Sequence, residues 1–387
     1  MNLAIVTPRY GAHIVGGAET LARTLAEYLA RQQWRVTVLT TCAQDHVSWE
    51  NRLPAGVTTQ NNVTVHRFPV RQGDTAARAR LSHQLHNHYY LPLADEYEWL
   101  ASGPHAPGLY AYLEERQEQF DAILALPYLS PIVQYAAWSA PEKTCLIPCL
   151  HEEPPAFMAL LRLLLETVRG ILFLTPEEAQ FARQALYVRP RRHAVMGAGI
   201  DPPPERLPAV NLPDAPYIVA ASRLEAGKNL ALLYEYTQRY VEEGGDLQLV
   251  LLGTGRFTPP DHAAFHVAGF VSHAEKLVYM QNALALCQPS LLESFSLVLM
   301  ESWQMGRPVL VHEDCAVTAG HVARSGGGLT FGSYKTFAGA IDWLKARPDE
   351  AARLGRQGQQ YVASHYRWPA VAARLQKFLE LCATSSK

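Results

Sequence analysis

Cysteine is scarce in this chain: Cys42, Cys145, Cys149, Cys287, Cys315 and Cys382 are scattered over 387 positions. They form no disulfide framework, and the nearest pair, Cys145 and Cys149, lacks the C-x-x-C spacing of a zinc site, so a cytoplasmic location is expected. Neither sign of charge prevails. The 34 Lys and Arg stand against 36 Asp and Glu, which excludes the broad basic surface that nucleic acid requires. No apolar run approaches the roughly 18 residues of a membrane span. The opening MNLAIVTPRYGAH has no basic stretch ahead of its short apolar run and reads as a first core strand, not as a signal peptide. Short internal repeats and low-complexity tracts are also missing. What is present is ample apolar material, 48% of residues against 18% charged, enough for two or three globular domains.

That material is distributed as short apolar runs alternating with amphipathic segments. Residues 3–6 predict a buried strand, Ala18, Leu21, Ala22, Leu25, Ala26 and Leu29 share one helical face, and 36–40 predict a second strand. Further strands are expected at 63–68, 122–126, 144–147 and 171–174, with helices around 108–119, 130–138 and 156–168. Thr175-Pro-Glu-Glu178 opens another helix with an N-cap, Pro at the first position and a capping box. The pattern stops in a Gly- and Pro-dense break, 197–216, and resumes with strands at 217–221, 247–252, 266–268, 284–287 and 308–311. Helices are expected there around 229–241, 273–282 and 297–305, the second headed by a Ser272 and Glu275 capping box, and Trp368-Pro369 opens a last helix. Such alternation implies an α/β fold with two parallel sheets, divided as 1–196, a linker at 197–216, and 217–366, with the helix from about 367 to 387 joining the first domain.

Ligands of open parallel sheets bind beyond the carboxyl ends of the strands, so the loops there carry the candidates. Gly16-Gly17-Ala18-Glu19 closes the first loop, where the glycines and free amides suit an anion or simply a tight turn. Arg223 and Lys228 sit five apart on one post-strand loop and can converge on a diphosphate, although such a loop is more often just solvated. This loop is not a P-loop, since Ser222 and Asn229 stand where Gly and Ser/Thr are required. Gly253-Thr-Gly255 lacks the third Gly of the dinucleotide fingerprint, which disfavours a dehydrogenase. Glu293-Ser-Phe-Ser-Leu-Val-Leu-Met-Glu301 places one carboxylate before a helix and one a turn inside it, around the free amides of 295–298. Carboxylates accept hydrogen bonds from paired sugar hydroxyls and amides hold phosphate, although an isolated Glu301 would read as an exposed helix residue.

The E-x7-E pair, the Arg-x4-Lys loop, the GGAE loop, Gly306-Arg-Pro-Val-Leu310 and the terminal W-P helix together resemble the retaining GT-B glycosyltransferases of family four (glycosyl transferases group 1), in order and over nearly the whole chain. The resemblance implies two Rossmann-like domains facing a central cleft, the first binding acceptor and the second a nucleotide sugar. It implies that Arg223 and Lys228 hold the diphosphate, Glu301 the ribose hydroxyls and Glu293 the transferred sugar, helped by Ser294, Phe295, Ser296, Leu297 and Val298. Gly16 and Gly17 would close over the phosphates, and the backbone at Phe270 and Val271 would meet the base. His151, in Cys149-Leu-His-Glu-Glu-Pro154, matches the family's catalytic histidine, so that His151, Arg223, Lys228 and Glu293 form the catalytic set. The residues alone leave His151 open as a buried core histidine. Ser294 and Ser296 replace the usual Gly, and Glu152 the frequent Asp, which bears on pocket tightness and sugar preference.

No D-x-D occurs in the sequence, so no metal or other cofactor is expected and the fixed cations must neutralise the leaving diphosphate. His83, His86 and His88 lie close together without an acid at ligand spacing. The acceptor, a glycan, glycolipid or small molecule, is expected on Glu152 and on the aromatic stretch 83–112, with Tyr90 and Trp99 as stacking residues; a packed satellite core is the alternative. Segment 157–169 offers a peripheral membrane contact, although its nearly all-round apolar character suits a buried helix better. An epimerase or phosphorylase on the same architecture, or a non-catalytic nucleotide-sugar binder, remain as other readings.

Overall fold

The computed structural model describes residues 1–14 and 16–383. Backbone contacts divide the chain into two units, Met1–Gly199 with Val371–Lys387, and Ile200–Ala370.

In the first unit the apolar run at the N-terminus forms β1 (Asn2–Val6), buried because parallel strands flank it on both sides. The chain continues through α1 (Gly17–Arg31), β2 (Arg35–Thr41), β3 (Gly56–Gln60) and β4 (Val63–Phe68). Then come α2 (Thr75–His88), α3 (Leu93–Ala101), α4 (Pro107–Arg116), β5 (Ala122–Ala125), α5 (Pro131–Ser139), β6 (Thr144–Leu146), α6 (Ala159–Thr167), β7 (Gly170–Phe173), α7 (Pro176–Gln184) and β8 (His193–Val195). The sheet order among the described residues is β3-β4-β2-β1-β5-β6-β7-β8, and only the β3–β4 pairing is antiparallel. Helix α1 buries Leu21, Ala22, Leu25, Ala26 and Leu29 of the stripe that its spacing predicts, while Ala18 in the first turn is only half-buried. The helices of the stretch 83–112 are packed into the main core, not into a satellite one: α2, α3 and α4 carry Leu81, Leu85, Trp99, Leu100, Leu109 and Leu113 into one cluster with residues of β1, β2 and β5.

The second unit contains β9 (Tyr217–Ala221), α8 (Leu230–Glu242), β10 (Gln248–Leu252), β11 (Phe265–Gly269), α9 (His273–Asn282), β12 (Ala285–Gln288) and α10 (Leu297–Gln304). It is completed by β13 (Val309–His312), α11 (Ala316–Ser325), β14 (Gly328–Phe331), α12 (Tyr334–Ala346) and α13 (Pro348–His365). Its strands are parallel in the order β11-β10-β9-β12-β13-β14. That is the doubly wound order 3-2-1-4-5-6, and the parallel strands of the first unit follow it too, with β8 added as a seventh beyond β7. The order reverses beside β9 in the second unit and beside β1 in the first.

The segment expected as a linker is largely part of the second unit. Ile200 N–H donates to the Tyr366 carbonyl at 2.8 Å, Gln304 Nε2 to the Asp201 carbonyl at 2.8 Å, and Tyr279 OH to the Asn211 carbonyl at 3.3 Å. The last helix, α14 (Trp368–Ala383), returns the chain to the first unit. Its Phe378 ring presses so close on Gly170 that a Cβ there would collide with it, and Arg169 caps the helix at the Cys382 carbonyl from Nη2 at 2.7 Å.

Candidate active site

In the second unit, the loops that leave β9 and β12 flank the point where strand order reverses, and they are stitched together. Asn229, in the left-handed conformation just ahead of α8, donates from Nδ2 to the Pro289 carbonyl at 3.1 Å. Lys228 Nζ lies 2.8 Å from Glu293 Oε1, and Gln288 Nε2 donates to the same oxygen at 2.7 Å. The two elements thus set a cation and a carboxylate side by side at the carboxyl end of the sheet. Arg223, on the same loop as Lys228 and more exposed, pairs with Glu225 at 3.2 Å. The Gly253-Thr-Gly255 turn after β10 explains itself sterically. Cβ atoms at Gly253 and Gly255 would overlap the carbonyl oxygens of Ser222 and Leu224, so these glycines let the turn pack directly beneath the Arg223 loop.

The run 293–301 wraps the start of α10. Phe295 is buried with its ring against His321 (5.2 Å between centroids) and Tyr366 (5.0 Å), which anchors the loop. Burial pushes His321 down to about 3, so that ring is a neutral packing element, with Nδ1 3.0 Å from Tyr361 OH. Ser296 precedes the helix at φ 68, a left-handed conformation that glycine adopts more cheaply, and its hydroxyl is buried without a partner. Glu301 is 9% exposed, so it is not a solvated helix carboxylate. Lys276 Nζ sits 2.6 Å from its Oε2, and His273 Nδ1 3.5 Å from Oε1. Both partners come from α9, whose Ser272 and Glu275 form the expected capping box. Phe270, 66% exposed, stands just ahead of that box, with Val271 half-buried beside it.

Sequence reasoning missed Lys276, His273, Gln288 and Asn229. Asn229 alone left a trace there, as the residue occupying the Ser/Thr position of a failed P-loop; the other three partner the glutamates only through the packing of α9, β12 and α10. The resemblance implies different roles for the two glutamates, and substitutions test that division. Glu301→Gln should weaken binding of free nucleoside diphosphate, whereas Glu293→Gln should leave that binding nearly intact and relax discrimination among sugars. Calorimetry with and without the sugar moiety measures both; equal losses for the free nucleotide would refute the division.

In the first unit the GGAE loop is built around its own acid. Glu19 Oε1 pairs with Arg9 Nη2 at 2.5 Å, both largely buried, and Arg9 Nη1 reaches the Gln44 carbonyl at 3.3 Å. A Cβ on Gly16 would collide with the Glu19 carboxylate, whereas one on Gly17 would meet nothing within 4 Å. The glycine at 16 therefore has a steric cause inside the loop.

His151 lies in the loop after β6. Its ring is 32% exposed, which removes the core-histidine alternative, and its Nδ1 is 3.3 Å from Glu153 Oε1. Glu152 is exposed. Beneath the loop, the fully buried Glu178 accepts from the Leu150 N–H at 2.6 Å and from the Leu174 N–H, tying the His151 loop to the start of α7. Burial, opposed by these amides, pushes Glu178 up to about 7 from an ordinary value of 4.5. A raised folded value means that its contribution is complete below the unfolded value and is lost as pH rises through about 7. The melting-temperature deficit of Glu178→Gln should therefore be larger at pH 5 than at pH 8, and a deficit independent of pH would refute the shift.

Trp99 corrects an expectation. It is 3% exposed, its indole N–H donates to Ser82 Oγ at 2.9 Å, and the Arg78 guanidinium covers its ring, so no face is left for an acceptor sugar. Tyr90, 66% exposed, remains open. His83, His86 and His88 are exposed on α2, and among the described residues no group of three metal-ligating side chains occurs. Segment 157–169 forms α6 with Leu161, Leu164 and Leu165 in the core, while Phe157 and Leu163 stay exposed. Its character is one-sided, not apolar all round. Among the described residues no helix is long and apolar enough to cross a membrane.

Two Rossmann-ordered units in one chain, each with its loops at the strand-order reversal, define the GT-B class. The solved structures agree on the fold. A sucrose-phosphate synthase from Thermosynechococcus elongatus aligns over 99% of this chain and 100% of its own, with TM-score 0.70 and 18% identity. Anabaena HepE in complex with UDP aligns over 99% and 100% (0.67, 15%). The E. coli trehalose-6-phosphate protein bound with UDP-2-fluoro glucose aligns over 99% and 99% (0.69, 13%). Residues 205–361, which lie within the second unit, match the model of the family described as Glycosyl transferases group 1. The curated trehalose synthase of Rubrobacter xylanophilus is 25% identical over 173 residues, 40% of this chain and 41% of that protein, so the chain spans less than half of the relative's length.

Proposed function

We propose that the protein is a glycosyltransferase that moves a sugar from a nucleoside-diphosphate sugar to an acceptor hydroxyl, with retention of configuration and without a metal ion. The observation that carries this reading is the apposition of Lys228 and Glu293 on the two loops at the strand-order reversal of the second unit. Breaking a sugar–phosphate bond builds negative charge on the departing diphosphate. Lys228, Arg223 and the amides that open α10 supply fixed positive charge for it, and preorganised donors of this kind need no reorganisation as the charge grows. Glu293 then binds hydroxyls of the transferred sugar and Glu301 those of the ribose, each accepting as carboxylates do.

The fold relatives bound with UDP and UDP-2-fluoro glucose favour a uridine nucleotide as donor. The first unit contributes His151 and the acceptor surface, with Glu152 and Tyr90 as exposed candidates for a glycan, glycolipid or small molecule. Six buried cysteines, none of them in a disulfide, suit a reducing cytoplasm, and exposed Phe157 and Leu163 mark where a peripheral membrane contact would fall. The test is calorimetry against UDP-, GDP-, ADP- and TDP-sugars, followed by turnover of the tightest donor with hydroxyl acceptors and analysis of the product anomer. Binding without turnover would make the chain a non-catalytic binder, and acceptor-free conversion of one nucleotide sugar into another would make it an epimerase. Turnover should survive EDTA; a loss restored by Mg²⁺ or Mn²⁺ would overturn the metal-free reading.

A further inference from the structure

We propose that Glu153 and Tyr128 are positioning residues for His151, fixing its imidazole in the tautomer that donates from Nδ1 and presents Nε2 as a hydrogen-bond acceptor for a sugar hydroxyl. The identity of that hydroxyl rests on the transferase reading; the state of the ring does not. Tyr128, 1% exposed in the loop after β5, donates from its hydroxyl to Glu153 Oε1 at 2.8 Å. The same oxygen lies 3.3 Å from His151 Nδ1. Burial alone would raise Glu153, but the hydrogen bonds that its carboxylate accepts from His151 and from the Tyr128 hydroxyl hold it below the ordinary range. An ionised carboxylate only accepts, so Nδ1 must carry the proton, and the neutral ring keeps its lone pair on Nε2.

The backbone holds the ring's loop independently. Glu153 N–H donates to the His151 carbonyl at 2.9 Å, and Glu178 grips the amide of Leu150 next to His151. The contacts therefore run outward from a buried phenol through a half-buried carboxylate to a ring that is one-third exposed. This is how an imidazole is preorganised for use at a surface, since an unheld histidine samples both tautomers. The Nε2 acceptor exists only in the neutral ring. The groups facing the ring and its carboxylate are Glu153 on the same loop, Tyr128 from the β5 loop, Glu178 from α7 and His86 from α2.

Steady-state kinetics combined with ¹⁵N NMR of the His151 ring tests this in the full chain. Wild type should show the Nδ1–H tautomer. Glu153→Ala should mix the tautomers and lower kcat about ten-fold or more, with donor affinity unchanged. Glu153→Gln still offers an oxygen to Nδ1–H and to the phenol, so it should restore the tautomer and most of kcat. Tyr128→Phe should fall between the two. An Nε2–H tautomer in wild type, or equal losses in Ala and Gln variants that follow their melting temperatures, would overturn the proposal. If wild type turns over no donor, the transferase reading fails, while the NMR arm still decides the state of the ring.

Discussion

Lys228→Ala should lower turnover by about 10²- to 10³-fold, the range seen when one preorganised stabilising donor is removed. Two effects act in the same direction. The departing diphosphate loses a fixed cation, and Glu293, left with Gln288 as its remaining hydrogen-bond donor of the pair described above, becomes a less neutralised carboxylate close to a growing anion. Arg223→Ala should cost about 10²-fold or more on the same principle. It has the cleaner control, because its ion pair with Glu225 is exposed at 43% and 41% and such pairs add little stability. Melting temperature should hardly move for Arg223→Ala, so a fall in kcat reports on the reaction. Wild-type kcat in either variant, measured with saturating donor, would remove that cation from the diphosphate site.

Both units were legible in outline for a physical reason. Buried parallel strands such as Leu3–Val6 of β1 and the whole of β9 are uninterrupted apolar runs, and the helices over them carry apolar residues at helical spacing. Elements with weak patterns were not legible. Strand β3 is a polar, exposed antiparallel edge paired only with β4, and nothing in Gly-Val-Thr-Thr-Gln separates it from a loop. Helix α2 buries just Leu81 and Leu85 of fourteen residues, too few for a stripe. Helix α13 packs partly through Gly355 and Gly358, where a Cβ would collide with the Gly306 backbone and the Trp303 indole, so its contact surface is invisible to a search for apolar side chains.

The candidate site divides in the same way. Loops that follow strands can be found from the strands, and Lys228 and Glu293 were therefore found as loop residues. Their contact follows from strand order, because β9 and β12 are adjacent although 63 or more residues separate them in sequence. The Lys276 and Glu301 pair depends on how α9 lies against α10, which no spacing encodes. Family likeness identified the glutamates but not their partners, and those partners decide how much charge each glutamate presents to a ligand. Trp99 shows the opposite failure. An aromatic in a histidine- and tyrosine-rich stretch looks like a sugar platform until its burial is known.

Trp99→Ala should accordingly destabilise the first unit without touching acceptor binding. Removing a buried tryptophan costs about 3–5 kcal/mol through lost transfer energy and the cavity left behind. For a unit of this size that is a fall of about 10 °C in melting temperature. The local partners add to it. Arg78, whose guanidinium is covered by burial and pushed down to about 9, would lose the ring beneath it, and Ser82 would lose its indole donor. The Arg78 bond to the Trp99 carbonyl is made by the backbone and survives the substitution, so the helix pair α2 and α3 loosens but is not cut. Tyr90→Ala is the matched comparison, because Tyr90 is 66% exposed and its removal leaves the core intact. The expected pattern is a large fall in melting temperature for Trp99→Ala with acceptor KM per folded molecule unchanged, against an unchanged melting temperature for Tyr90→Ala. A raised acceptor KM in Trp99→Ala at wild-type stability would return Trp99 to the acceptor surface and contradict its place in the core.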